Sequence, residues 1–486
     1  MILPKAAQVV NVHEGFSSVL VILFSQISES FCGCFKVILF CEAAFVSGLG
    51  MLWYEASHPS VGMLIGAVVL LTVGKAARDV PLKAFLADQL RRLNLEQDQE
   101  LVKDRARYWW GFCWILGIIM GTMSTGEWEV LSMISCIAMV VGSFWFLLGM
   151  PYYVYEEPSP NSPLRCVIMV VKAALLKRHL NYPVSPNELF KNDTKDAELF
   201  PHVAVLRWLD KAATLESSPP CPGLMEQQIA GRLFEVAKVR NVKNLLKMLP
   251  MWLTFIVYSL VEATGSTFFI EQAEQMDGEI GKRSHFPIVI FVILKGFTSF
   301  SISMIYQYLY KNANQRRRPL LNRICFGMLC SVLCCLTAWR IEVYRLSNLE
   351  LRRIDNRVDT YVDHISVAWL TPQFFFLGLM DGFATSGLQH FFESQVCESM
   401  KDYGPELNEL PLGIGKFVSA ICILIFRSWF SDNLNTSRLD NYYEMLLFPA
   451  SLNFVICCLV SYWYWNQPND NKILDDAQEL EICIEF

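Results

Sequence analysis

The sequence predicts an all-α protein that crosses a membrane many times. Of its 486 residues, 53% are hydrophobic and 18% charged, where a soluble chain carries about 25% charged residues. The mean hydropathy is +0.32. The apolar residues fall in long blocks, each about as long as a helix needs to be to span a bilayer.

Eleven blocks are expected to be transmembrane helices: Val9–Ser28, Val37–Tyr54, Val61–Asp79, Trp109–Thr125, Val130–Gly149, Leu249–Ile270, Pro287–Leu309, Leu320–Trp339, Ser366–Leu388, Pro411–Arg427 and Tyr443–Trp465. The first has His13 and Glu14 near its start, and both are expected simply to reach water at a helix end. Glycines inside the blocks, such as Gly111, Gly117 and Gly121, are expected where helices pack closely in lipid. Trp53, Tyr54, Trp109, Trp110, Tyr462 and Trp465 gather at block ends, as interfacial aromatic residues do. Lys83, Arg91, Arg92 and Lys103 follow the third block, and Lys311, Arg316, Arg317 and Arg318 the seventh, so these loops are expected on the cytoplasmic side. Residues 340–365 break the rule. They carry Arg340, Arg345, Arg352, Arg353 and Arg357, yet counting helices puts them outside. The same count puts the glycosylation triplet Asn435-Thr436-Ser437 on an outer loop.

The blocks divide into five and six. Residues 1–149 are expected to form one helical bundle and residues 249–465 a second of six helices. Residues 150–248 between them are polar and proline-rich, and are expected to be a cytoplasmic linker. Within the linker, Val167–His179 sets an apolar face beside Lys172, Lys177 and Arg178, the pattern of a helix lying on the inner leaflet. Residues 466–486 form an acidic tail. Two helical halves around a mid-membrane site is a recurrent plan for carriers, usually with equal halves. The five-plus-six count is therefore expected to reflect a missing first helix.

The buried charges mark the candidate site. Glu262 is the one charged residue of Leu249–Ile270. A carboxylate at that depth costs at least about 2.5–3.5 kcal/mol, so it is expected to face a water-filled path or a partner. Lys295, inside Pro287–Leu309, needs a carboxylate, and Glu262 is the expected one. Glu42, inside Val37–Tyr54, is expected to face a cavity or Lys75.

Several classes are disfavoured. The net charge of −6 supplies no basic field for nucleic acid. No G-x-x-x-x-G-K-[ST], H-E-x-x-H or G-x-S-x-G is present, so no catalytic residue and no cofactor is assigned, and an ion or solute gradient is the expected energy source. Most of the 16 cysteines sit in apolar blocks, where they act as small apolar side chains. Cys32-Gly33-Cys34 has no second pair at metal-ligand spacing, so no metal is assigned either.

Six stretches, in order along the chain, carry a family resemblance: Ala87-Asp88-Gln89-Leu90, Met150-Pro151-Tyr152-Tyr153, Arg207-Trp208-Leu209-Asp210-Lys211-Ala212-Ala213, Lys247-Met248-Leu249-Pro250-Met251-Trp252, Phe269-Ile270-Glu271-Gln272 and Phe391-Phe392-Glu393-Ser394-Gln395. The chain resembles the plant nitrate/peptide transporters, of the proton-coupled oligopeptide transporter branch of the major facilitator superfamily. The resemblance implies that superfamily's fold: two helical bundles, about 11 transmembrane helices here against 12 in the family, and alternating access. It places Ala6–Asn11 at the approach to the family's second helix, so the first helix and its E-x-x-E-[KR] motif are expected to be absent. It aligns Gly74-Lys75-Ala76-Ala77-Arg78-Asp79 with a run in which the family has lysine where Asp79 stands. Glu262 falls where nitrate carriers have histidine, and a carboxylate repels nitrate unless protonated. Asp381 falls on a family glutamate. Lys416 falls on a family asparagine and is a candidate ion partner of Asp381.

The expected function is secondary active transport, with protons as coupling ion, of a small polar solute: nitrate, a short peptide, or a plant metabolite or hormone. Glu262, Asp381, Lys295, Lys416, Glu42, Lys75 and Asp79 are the expected substrate and proton-pathway residues. The expected setting is a bilayer, either plasma or vacuolar membrane. The competing reading is a truncated family member without transport that acts as a membrane interaction or regulatory protein.

Overall fold

The apolar blocks fold as helices, and the positions at which they bend place the charges. A computed structural model describes residues 3–78, 81–93, 105–106, 108–113, 116–117, 128–155, 163–182, 189–190, 204–215, 224–276, 279–280, 284–285, 289–309, 317–354, 358–362, 365–396, 398–401, 403–431 and 433–466. Among the described residues, nine helices are long and apolar enough to cross a membrane. Most of the expected span Trp109–Thr125, together with Gly121, Asp79 and the tail beyond Asn466, lies outside the described residues.

The first half comprises α1 (Leu3–Ile27), α2 (Cys34–Ser57), α3 (Val61–Arg78), α4 (Pro81–Leu93) and α5 (Trp128–Leu148). A π-helical turn, Ser28–Cys32, and Gly33 at φ 78° join α1 to α2. Close packing here rests on glycines other than Gly111 and Gly117, around which nothing lies within 4 Å among the described residues. A Cβ on Gly74 would fall 2.8 Å from the Phe45 backbone, and one on Gly48 3.1 Å from the Ala67 carbonyl. These contacts lock α2 against α3. Near the far end of α2, Phe35 stacks on Phe146 at 5.5 Å.

The linker holds α6 (Pro163–Leu176), a 3₁₀ stretch at Ala204–Ala213, and α7 (Val236–Leu246). These pack into a small core of Val170, Ala173, Ala174, Leu209, Ala212, Ala213, Val239 and Val242. The Arg207–Ala213 motif forms the middle of this core. Asp210 and Lys243 are both buried and form an ion pair. Tyr182 donates to Asp210 Oδ2 at 2.9 Å, and Lys177 Nζ donates to the Thr214 carbonyl at 2.7 Å. The described linker is thus folded rather than bare connecting chain. The opposite face of α6 leaves Ile168 and Leu175 exposed beside Lys172.

The second half begins with α8 (Leu249–Gly265) and α9 (Phe268–Gln275). The expected single helix Leu249–Ile270 is broken at Ser266–Thr267. Both hydroxyls donate back to the Ala263 carbonyl, at 3.2 and 2.8 Å, and such back-bonding bends helices. Two short hairpins follow in turn along the chain: β1–β2 (Glu279–Ile280 with Ser284–His285), then, beyond α10 (Val289–Leu309) and α11 (Arg317–Ser347), β3–β4 (Glu350–Ile354 with Val358–Val362). The block Ser366–Leu388 becomes a 3₁₀ turn, α12 (Thr371–Met380), a π-helical turn at Asp381–Thr385, and α13 (Ser386–Gln395). The chain then forms α14 (Gly404–Ile425) and α15 (Leu439–Trp465). The main hydrophobic core lies in this half, built on Phe255, Tyr258, Phe269, Phe374, Tyr442 and Tyr443.

One arginine of the exceptional 340–365 stretch has a clear physical account. Arg345 Nε and Nη2 bind both carboxylate oxygens of Glu342, each at 2.8 Å, with both side chains buried. Gln272 donates to Glu342 at 2.6 Å, and Tyr443 and Gln373 donate to Gln272. Arg345 Nη1 also donates to Asn435 Oδ1 at 2.5 Å, and Ser437 is buried. Arg345 is therefore neutralised inside the protein and presents no free charge to a membrane surface. In the hairpin, Arg353 stands opposite Asp359.

The linker pair yields a thermodynamic expectation. Removing one member of a buried ion pair leaves the other uncompensated and costs about 3–5 kcal/mol, whereas removing both costs far less. Asp210→Asn and Lys243→Met should each destabilise the chain by that amount, and the double variant should recover most of it. Denaturant unfolding in mixed micelles measures all three; additive single effects would remove the pair from the account.

Candidate functional site

Helix α1 begins at Leu3, ahead of the expected Val9. This puts His13 and Glu14 in mid-helix, so the expectation that they merely reach water at a helix end is wrong. Glu14 is held from two sides. Lys75 of α3 forms an ion pair with Glu14 Oε1, and Lys416 of α14 forms a second with Oε2 at 2.8 Å. His13 Nδ1 lies 2.7 Å from Thr72 Oγ1 on α3. Lys416 thus joins the second half to the first, and it pairs with Glu14 rather than with Asp381.

Beyond Lys416 the charges continue into the second half. Lys416 is within Coulomb reach of Glu262 on α8. Glu262 Oε1 lies 3.8 Å from Lys295 Nζ on α10, the partner expected from the sequence. Glu262 Oε2 is buried without a hydrogen-bond partner among the described residues. The order Lys75, Glu14, Lys416, Glu262, Lys295 alternates in sign. Tyr258 of α8 lies within Coulomb reach of Glu262 and Asp381, and its hydroxyl is 3.2 Å from Thr385 Oγ1. Asp381 accepts from Ser299 of α10 at 2.8 Å. Glu42 lies outside this chain of charges: Lys75 is taken by Glu14, and Glu42 sits near Ser143 and Tyr153.

The Glu14–Lys416 contact is one rung of a long seam between α1 and α14. Asn11 donates to Ser419 at 3.1 Å, Ser18 to Glu409 at 3.3 Å, Ser25 to Glu406 at 2.6 Å, and Tyr403 to Glu29 at 3.0 Å. Between these rungs the backbones meet through Gly15 and Gly413. A Cβ on Gly413 would sit 2.7 Å from Ser18 Cβ and 3.1 Å from the Gly15 carbonyl. A Cβ on Gly415 would likewise run into the Ile256 carbonyl of α8. The sequence holds a signal for this seam that the block-by-block reading passes over. Asn11, Glu14, Ser18 and Ser25 recur at helical spacing, and so do Glu406, Glu409, Gly413, Lys416 and Ser419. Polar stripes inside apolar blocks mark the faces that meet each other.

With this arrangement established, comparisons identify the family. The family model described as "POT family" matches residues 35–438. The chain belongs to the POT family. Protein NRT1/ PTR FAMILY 5.6 of Arabidopsis thaliana is 28% identical to it over 498 residues, covering 94% of this chain and 84% of the relative. Protein NRT1/ PTR FAMILY 5.7 of the same plant is 28% identical over 527 residues, covering 99% and 86%. The crystal structure of the POT family transporter PepTSo superposes with a TM-score of 0.65 at 15% identity, covering 96% of this chain and 91% of that one. A POT family transporter solved in complex with 5-aminolevulinic acid gives a TM-score of 0.60 at 10% identity, covering 95% and 87%. The fold is therefore that of the all-α POT family transporters within the major facilitator superfamily, and the chain is a multi-pass membrane transporter by family.

The glycine seam can be tested directly. Gly413→Val drives a branched side chain into Ser18 and the Gly15 carbonyl, and overpacking of this kind costs about 1–3 kcal/mol. Gly142 has nothing within 4 Å among the described residues, so Gly142→Val should stay within about 0.5 kcal/mol of the parent. Thermal unfolding of the purified protein in detergent compares them; equal effects would mean that the α1–α14 contact is not close-packed.

Proposed function

We propose that this POT family member is a proton-coupled secondary transporter that carries a small polar solute through the α1–α3–α14–α8–α10 interface by alternating access. The observation that supports this most is the alternating charge chain, which starts on the first half and ends on the second. Glu14 holds two lysines at once, which leaves the three groups with one net positive charge. Adding a proton to Glu14 removes the attraction that holds Lys75 and Lys416 together, and leaves two ammonium groups facing a low-dielectric interior. Those groups then need an anion, and an anionic group of the solute supplies one. Protonation of Glu262 would act in the same direction, because it releases Lys295 and weakens the field on Lys416. Asp381, steadied by Ser299, offers a carboxylate to a cationic group of the solute.

The mixed charge suits a solute with both an acidic and a basic group better than nitrate alone. A short peptide or a charged plant metabolite or hormone fits this description. Glu42 and Asp79 remain proton-pathway candidates on sequence grounds. Residence in a plasma or vacuolar membrane is part of this proposal.

Uptake into proteoliposomes under an inward proton gradient tests the reading, with dipeptides, plant organic acids, hormones and nitrate as the panel. Uptake should collapse with a protonophore. Glu14→Gln and Glu262→Gln should each slow proton-driven uptake by about 5- to 150-fold, the span of ordinary coupling free energies. Solute-for-solute exchange without a gradient should survive better than net uptake. Unchanged uptake with an unchanged pH profile in both variants would sink the coupling role. No uptake of any solute by folded protein would favour a non-transporting member.

A further inference from the structure

Arg323, on α11, is 1% exposed, and no carboxylate pairs with it among the described residues. A buried guanidinium without a counter-ion is costly, so what it holds is informative. Its Nη2 donates to the Gly382 carbonyl at 2.8 Å and lies 3.4 Å from Ser303 Oγ. Its guanidinium carbon stands 4.5 Å from the centre of the Tyr306 ring, which stabilises a cation. Its remaining N–H groups have no acceptor among the described residues.

Gly382 lies in the π-helical turn Asp381–Thr385 between α12 and α13. Where a helix widens from i→i+4 to i→i+5 bonding, backbone carbonyls lose their regular donors, and such turns are frequent at functional sites. Ser303 of α10 also donates to the Gly382 carbonyl, at 3.2 Å, and its hydroxyl is 2.8 Å from Ser386 Oγ. Two outside donors therefore converge on one carbonyl of the turn. The backbone is clamped on both flanks as well. A Cβ on Gly382 would fall 2.7 Å from the Ser299 carbonyl, and one on Gly327, one turn along α11 from Arg323, 2.6 Å from the Ala384 nitrogen. The residue that opens this turn is Asp381, on Ser299 at 2.8 Å.

We propose that Arg323 is a positioning residue for the π-helical turn: its guanidinium binds the Gly382 carbonyl inside the widened turn, and so fixes the backbone that presents Asp381 to Ser299. Arg323 does not touch the solute in this arrangement. Its charge is used to make one strong hydrogen bond to a neutral acceptor in a dry interior, where charge-assisted bonds are stronger than neutral ones. The link to transport rests on the reading of Asp381 given above; the link to the turn does not.

Hydrogen–deuterium exchange of the full chain in nanodiscs separates the two. Arg323→Gln should speed amide exchange by about tenfold across residues 381–388, with α1–α3 unchanged. Arg323→Lys, which keeps a charged donor, should stay within about threefold of the parent there. Ser303→Ala, which removes the weaker donor, should give an intermediate rise confined to the same residues. Unchanged exchange at 381–388 in Arg323→Gln, or a rise spread equally over all helices, would overturn the clasp. Should Arg323→Gln fail to fold, Ser303→Ala decides, and no rise in it has the same meaning. Asp381→Asn is the separate control: normal uptake in that variant would remove Asp381 from the pathway while leaving the exchange result intact.

Discussion

The structure turns on one carboxylate held by two ammonium groups. Glu14 brings Lys75 from a neighbour in its own half and Lys416 from the opposite half onto its two oxygens. Each of the three charges is expensive in a bilayer, and together they carry one net positive charge instead of three separate ones. The arrangement is stable only while Glu14 is ionised. The charge pairing sits where the two halves meet.

Glycine makes that interaction possible. Three charged side chains converge only if the helices that carry them come close, and lipid gives no hydrophobic push toward contact. Gly15 and Gly413 remove the side chains at the crossing, so van der Waals contact runs backbone to backbone. The rungs on either side, from Asn11–Ser419 to Glu29–Tyr403, pair polar groups that would otherwise face hydrocarbon. Register follows from this pairing: sliding α1 by one turn along α14 would break every rung together.

Much of this was legible in the sequence. Block lengths gave the helices, and the single lysine of α10 beside the single carboxylate of α8 gave the Glu262–Lys295 pair. What was missed came from reading each block alone. Glu14 reads as terminal because the apolar block opens at Val9, whereas the helix begins at Leu3. Lys416 was matched to Asp381 by alignment position, although its nearer partner lay 402 residues away in sequence. The linker reads as polar, proline-rich connecting chain, while its small core rests mostly on alanines and valines that do not stand out in composition. The bends at Ser266–Thr267 and Asp381–Thr385 depend on hydroxyl back-bonding and on glycine contacts between helices, which no single block displays.

The two polar networks of the second half differ in a way that bears on function. Around Glu342, both carboxylate oxygens are bound by Arg345, Gln272 adds a donor, and the side chains are fully buried. A carboxylate with both oxygens taken in a low dielectric is rigidly held, because any rearrangement leaves a charge unpaired. Around Glu262 the opposite holds: Lys295 stands off at 3.8 Å, and Oε2 has no donor among the described residues. A carboxylate oxygen without a donor can accept one further hydrogen bond while the Lys295 pair stays in place. The Glu342 site is therefore suited to holding α9, α11, α12 and α15 together. The Glu262 site, within Coulomb reach of Lys416 and through it joined to Glu14, instead keeps an oxygen with no donor among the described residues.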